Sequence, residues 1–285
     1  MMETAEAEKQ FLHVREKSLY DFKIGSADGS TDDIFADCRG KVTLLFNCAA
    51  GCGNIPQHAV LRRLDELHAG NPDFKIQAMT VDDFTCHGYE EYQDGLNKFI
   101  ERNDIDLSPG MVAQNYAIDN YGVKYKFSEL TNGRFDKHTY DPKWVPGEQY
   151  EQEPHDFWKY ILGSDVIDRN ENNLPNHWEA SPWAEEEQKV DRSMPGFIGL
   201  QGNFEKFLID RTGTRFLRYT SSFLLGERDR NGNLLSWWNE DPNDPMYQGK
   251  WPNQMQGHGI DWSLHEISRD VTSMLEEDWE AFRIP

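Results

Sequence analysis

The 285-residue sequence has no run of basic residues, no apolar stretch long enough to cross a bilayer, and only four cysteines. Each shortage excludes something. Asp and Glu number 50 against 29 Lys and Arg, a formal net charge of −21. Such a chain repels phosphate backbones, and no local basic cluster offsets the repulsion, so nucleic acid is not an expected partner. A membrane-spanning helix needs about 20 predominantly apolar residues; with none in the sequence, no membrane partner is expected. The opening MMETAEAEKQ is acidic and polar, where an export signal carries basic residues and then an apolar run. The expected compartment is therefore the cytoplasm, where thiols stay mostly reduced. Cys38, Cys48, Cys52 and Cys86 are too few and too clustered to staple a fold, and read as core residues or as chemistry.

What is present is a chain long enough for a proper core and rich in aromatics, with nine Trp. Residues 19–35 alternate and turn, and Asp28-Gly29 predicts a hairpin between short strands. Lys41 to Ala49 is a near-continuous apolar run, the pattern of a strand buried on both faces of a sheet. The small-residue loop Ala50-Gly51-Cys52-Gly53 comes next, then a helix start with Asn54 as N-cap and Pro56 in the first turn. Ala59, Val60, Leu64 and Leu67 recur at helical spacing until Gly70-Asn71-Pro72. A second buried strand spans Phe74 to Val81, and strand–helix–strand at this spacing predicts a parallel pair with a right-handed crossover. Helices are predicted over 90–103 and 111–121 and from Phe157 to Leu162, and strands from Phe204 to Ile209 and Arg215 to Thr220. The closing helix carries Leu264, Ile267, Val271, Met274, Leu275 and Phe282 on one stripe. About 131–200 and 226–260 lack periodicity, yet their Trp content argues against disorder. They are expected to be ordered excursions from a single domain over 1–285, packed on that domain or on another subunit of a homo-oligomer.

The order βαβ, helix, ββ, helix is that of an α/β thioredoxin-like fold, a central mixed sheet flanked by helices. Three motifs narrow it. Ser18-Leu19-Tyr20-Asp21-Phe22, Arg39-Gly40-Lys41-Val42, and Asn47 through Gln57 together resemble the opening of a glutathione peroxidase. In that family a reactive Cys or selenocysteine stands where Cys52 does, in a stretch similar to N-V-A-S-x-C-G-x-T-P-Q. Asn203-Phe204-Glu205-Lys206-Phe207-Leu208-Ile209-Asp210 resembles the family's W-N-F-x-K-F-L-V-D segment. The resemblance covers 18–84 and 203–223, extends more thinly over 111–162, and is absent from the excursions. It implies a thiol-dependent oxidoreductase acting on a peroxide or related oxidised small molecule, with Cys52 as nucleophile and Asn203 as a stabilising donor. No cofactor is expected.

The chemistry of Cys52 has a basis apart from the resemblance. A thiol between a buried strand and a helix start faces unpaired backbone N–H groups and the positive end of the helix dipole. Both favour the thiolate, the form that attacks a peroxide oxygen. Two other positions depart from the family pattern: Gly202 stands where it has Trp, and Asp83 where it has Gln. An ionised carboxylate accepts hydrogen bonds only, and beside a thiolate it raises the thiol pKa. Asp83 is therefore a group of altered role, a general base or a substrate-orienting residue. Arg218-Tyr219-Thr220-Ser221-Ser222-Phe223 has Ser where animal members carry a basic pair, so a thioredoxin-like or small-thiol reductant is expected ahead of glutathione. Cys86 is a candidate resolving thiol. The alternative reading is a ligand- or metal-binding protein on the same fold, with Cys48, Asp82 and His87 as candidate ligands beside Cys52, Asp83 and Cys86.

Overall fold

The computed structural model describes residues 13–49, 55, 57–81, 84–85, 107–133, 138–139, 154–162, 200, 202–219 and 264–278. The strands are β1 (His13–Val14), β2 (Val42–Cys48), β3 (Phe74–Thr80), β4 (Phe84–Thr85), β5 (His138–Thr139), β6 (Lys206–Ile209) and β7 (Arg215–Tyr219). The helices are α1 (Gln57–Leu67), α2 (Pro109–Tyr121), α3 (Asp156–Ile161) and α4 (Leu264–Leu275). Five strands form one sheet in the order β1-β7-β6-β2-β3, while β4 and β5 pair separately. β2 runs parallel to β3 and antiparallel to β6, and β6 is antiparallel to β7. This is the expected thioredoxin-like sheet, with the predicted βαβ and ββα units joined through β2.

β2 occupies the middle because all seven of its residues are buried and neither face needs water. Alternation sends Val42, Leu44, Phe46 and Cys48 into one core layer with α1, α2 and α4, and Leu45 into a second layer with α3 and the 3₁₀ turn Leu19–Asp21. α4 presents Leu264, Ile267, Val271 and Met274 to the first layer, the predicted stripe. It stops earlier than its pattern suggested. Asp278 N donates to Ser273 O at 2.8 Å and Glu277 takes a left-handed backbone (φ 59°), which turns the chain out of the helix.

The hairpin expected over 19–35 does not form. Leu19–Asp21 is a 3₁₀ turn, and Ser26 instead bridges Ser128. Backbone bonds from Ser26 N to Thr31 O at 2.9 Å and from Ile34 N to Ile24 O at 2.8 Å cross the loop, but Asp28 Oδ1 accepts from Ser26 Oγ and Ser30 N, and these local side-chain bonds stand in place of a regular ladder. The Asp210–Gly213 turn does form as predicted. Gly213 has φ +70°, and a Cβ there would lie 2.7 Å from the Tyr20 ring, so glycine is required on two counts. The predicted 90–103 helix and the Asn54 and Pro56 caps lie outside the described residues, as do the two excursions except for 131–133, 138–139, 154–162 and 200. No helix among the described residues is long and apolar enough to cross a membrane.

One buried polar pair makes the fold sensitive to acid. His58, in the first turn of α1, shares a 2.6 Å hydrogen bond with Tyr125 Oη and lies among the rings of Phe46, Phe127 and Phe204. Burial lowers its pKa from the ordinary 6.5 to about 3. Between those values the unfolded chain holds the extra proton, so stability is lost as pH falls below 6.5. At about 1.4 kcal/mol per pH unit, lowering pH from 6.5 to 5 should remove about 2 kcal/mol through His58. Urea unfolding across this range should show that slope, and His58→Phe should flatten it by most of that amount even if its stability is lower throughout.

Candidate active site

β2 and β3 end together. Cys48 opposes Thr80, and Val81 N donates to Cys48 O at 2.8 Å. Because β6 is antiparallel to β2, the turn at 202–205 enters the sheet at the same end. The carboxyl ends of β2 and β3 and the turn before β6 thus share one rim, the place where open α/β sheets bind ligands.

Asn47 holds this rim together from within β2. Its Nδ2 donates to Gly202 O at 2.9 Å, its Oδ1 accepts from Glu205 N at 2.9 Å, and its backbone O accepts from Phe204 N at 2.7 Å. The turn is not relaxed: Phe204 has φ 62°, a left-handed conformation that a bulky residue rarely adopts. Asn203 sits at the apex of this turn and is only 4% exposed. The expected donor is therefore fixed to the strand that leads toward Cys52. Gly202 contributes its carbonyl to the same network.

Buried charges flank the turn on both faces of the sheet. Glu205 Oε1 accepts from Arg218 Nε at 2.9 Å and also from Nη2, with the guanidinium 5.8 Å from the Phe207 ring centroid. On the opposite face Lys206 Nζ donates to Gln57 Oε1 in the first turn of α1 at 2.7 Å. Burial pushes the Lys206 ammonium well below its usual pKa, with Glu205 acting in the other direction. Sequence reasoning missed Asn47, Gln57, Glu205, Lys206 and Arg218 as a set. For Asn47, Glu205 and Lys206 the available signal was a polar residue inside the otherwise apolar stretches 41–49 and 204–209.

The remaining candidates divide sharply. Cys48 is fully buried in the first core layer and burial raises its thiol pKa; Cys38 is buried in the second layer and its pKa is raised to about 11. Both are protonated near neutrality, and both are free thiols. Cys52, Asp82, Asp83, Cys86 and His87 lie outside the described residues, three positions beyond Ala49 in the case of Cys52 and two beyond Val81 in that of Asp83. Among the described residues no group of three His, Cys, Asp or Glu is gathered that could hold a metal ion.

Removing one partner of a buried ion pair leaves a charge uncompensated, at a cost of about 3–5 kcal/mol. Glu205→Leu should destabilise by that order in urea unfolding. The double replacement Glu205→Leu with Arg218→Met should cost clearly less than the two single replacements together.

No protein-family model matches the chain. A glutathione peroxidase homolog of Neisseria meningitidis is 32% identical over 108 residues, which is 38% of this chain and 50% of the relative. The chain thus spans half the length of that relative. Glutathione peroxidase 7 of Bos taurus is 28% identical over 158 residues, covering 53% of this chain and 71% of the relative. Among solved structures, Trgpx in its apo form aligns over 72% of this chain and 86% of its own at 18% identity, with a TM-score of 0.38. With the sheet order and the 202–205 turn placed, the chain has a thioredoxin-like fold and is similar, over part of its length, to glutathione peroxidases.

Proposed function

We propose that this protein is a cysteine peroxidase in which Cys52 is the nucleophile and Asn203 donates to its sulfur. The observation that carries the reading is the strained turn at Phe204, held to β2 by four hydrogen bonds between Asn47 and residues 202–205. Backbone strain of this kind persists where surrounding contacts over-determine it, and it concentrates at functional sites. Here it fixes Asn203 beside the strand that runs into the Cys52 loop. Cys38 and Cys48 are excluded as rivals by burial and raised thiol pKa.

In the proposed reaction the Cys52 thiolate attacks the distal oxygen of a hydroperoxide. An S–O bond forms, the O–O bond breaks, and the departing oxygen takes a proton and leaves as water or an alcohol. The sulfur is oxidised to a sulfenic acid. A thiol then attacks that sulfur, giving a disulfide and water, and a second thiol releases reduced Cys52. Cys86 is the proposed first thiol within the chain. The external reductant is proposed to be thioredoxin-like or a small thiol. Ser221 and Ser222 stand where animal members of the family carry a basic pair, Arg218 is committed to Glu205 in the core, and the chain as a whole is strongly acidic, so an anionic tripeptide has little to hold it. A reducing compartment such as the cytoplasm suits this cycle.

Asp83 is proposed to damp the thiolate through its like charge. Peroxide consumption coupled to thioredoxin oxidation should be abolished by Cys52→Ser. Asp83→Gln should lower the Cys52 thiol pKa by roughly one unit and raise the peroxidase rate several-fold. Loss of all activity in Asp83→Gln would instead assign the carboxylate as a general base. Unchanged turnover in Cys52→Ser would overturn the nucleophile.

A further inference from the structure

Lys206 is an unusual residue to find where it is. Its side chain is fully buried in β6, opposite Phe46 of the central strand. A methionine or leucine would fill the same space without the desolvation penalty of an amine, and burying a polar contact in place of packed hydrocarbon is seldom a gain in stability. The position calls for a purpose other than packing, and its surroundings suggest one. Lys206 lies three residues after Asn203, and its Nζ donates at 2.7 Å to Gln57, which is also fully buried and lies five residues after Cys52.

Two connections therefore meet at the same turn. On one side Asn47, five residues before Cys52, ties β2 to the main chain at 202–205. On the other, Gln57 ties α1 to Lys206. The chain segments that flank Cys52, one before and one after, are each bonded to the structure that carries Asn203. We infer that Lys206 is a positioning residue, one that aligns the start of α1 with the Asn203 turn so that the Cys52 sulfur meets its donor. The inference rests on the reading of Cys52 as nucleophile.

Several features agree with this assignment. The amine can donate to Gln57 whether or not it carries an extra proton, so the connection survives the downward pressure of burial on the Lys206 pKa. The connection is also short in sequence on both sides, so a shift of Lys206 is passed to Asn203 through only three residues of a turn that Asn47 already holds. Glu205, the residue before Lys206, faces the other side of the sheet and is held there by Arg218.

The test is the pH dependence of Cys52 alkylation by iodoacetamide, read by peptide mapping in the full chain, with thermal unfolding measured alongside. Lys206→Met, which keeps length and removes the donor, should move the labelling midpoint up by about one pH unit, equivalent to about tenfold slower labelling at pH values well below the parent midpoint. Gln57→Leu breaks the same bond from the other side and should produce the same shift. In an Asn203→Ala background Lys206→Met should add little further, since both changes remove one alignment; a residue that only supported the fold would give additive effects. A folded Lys206→Met with an unmoved midpoint overturns the inference, as does a shift that adds in full to that of Asn203→Ala. Failure of both Lys206→Met and Gln57→Leu to fold, with Asn203→Ala folding normally, assigns the pair to stability and overturns it as well. Peroxide turnover that survives Cys52→Ser removes the nucleophile reading and this inference together, whereas turnover that depends on Cys52, with a labelling midpoint that Lys206→Met leaves in place, removes the inference alone.

Discussion

The side chain of Asn47 is the constraint on which the site depends. It sits in the most buried strand of the sheet, yet both ends of its amide and its own carbonyl bond to the turn before β6. A buried amide without partners costs free energy, and so does Phe204 in a left-handed backbone. Each makes the other tolerable. The turn satisfies the amide, and the amide holds the turn in a shape that Phe204 would not take alone. Asn203, at the apex, inherits its position from that exchange.

The charges around the turn are arranged by strand alternation. Glu205 and Lys206 are neighbours in sequence and so face opposite sides of the sheet. Glu205 meets Arg218 on the α3 side, and Lys206 meets Gln57 on the α1 side. Neither interaction adds much net stability, because desolvation offsets most of what the pairing gains. Their value lies in direction. A hydrophobic side chain can slide against its neighbours, whereas a buried hydrogen bond or ion pair has one satisfactory geometry. Placed on both faces of one strand, they fix its register and rotation together.

Much of the fold was legible in the sequence because its central strands are buried on both faces and its helices carry clean apolar stripes. The 41–49 and 74–81 runs, the α4 stripe and the Asp210–Gly213 turn each had a single physical reading, and the four expected strands lie in one mixed sheet, which β1 extends. The 19–35 hairpin was misread because Asp28-Gly29 signals a turn but not a strand pairing on either side of it, and Asp28 and Ser26 bonded locally. The end of α4 was overestimated because apolar spacing continues past Leu275 while the backbone turns at Glu277. At the site, Asn203 was legible through resemblance. The network that holds it was not, since nothing in a one-dimensional pattern distinguishes a buried Lys206 or Asn47 from a solvated one. Those residues acquire partners only when β2, β6, β7 and α1 meet.

Cys52, three positions beyond Ala49, is the proposed peroxide-reactive thiol, and Cys38 and Cys48 are not. The most direct test is mass spectrometry of the Cys86→Ser protein, in which the proposed resolving thiol cannot consume a sulfenic acid, and of its peptides after one equivalent of hydrogen peroxide in the presence of dimedone, which traps sulfenic acids. The expected result is a single dimedone adduct on the peptide containing Cys52, with Cys38 and Cys48 unmodified. An adduct on another cysteine, or no adduct while peroxide is nonetheless consumed, would contradict that claim.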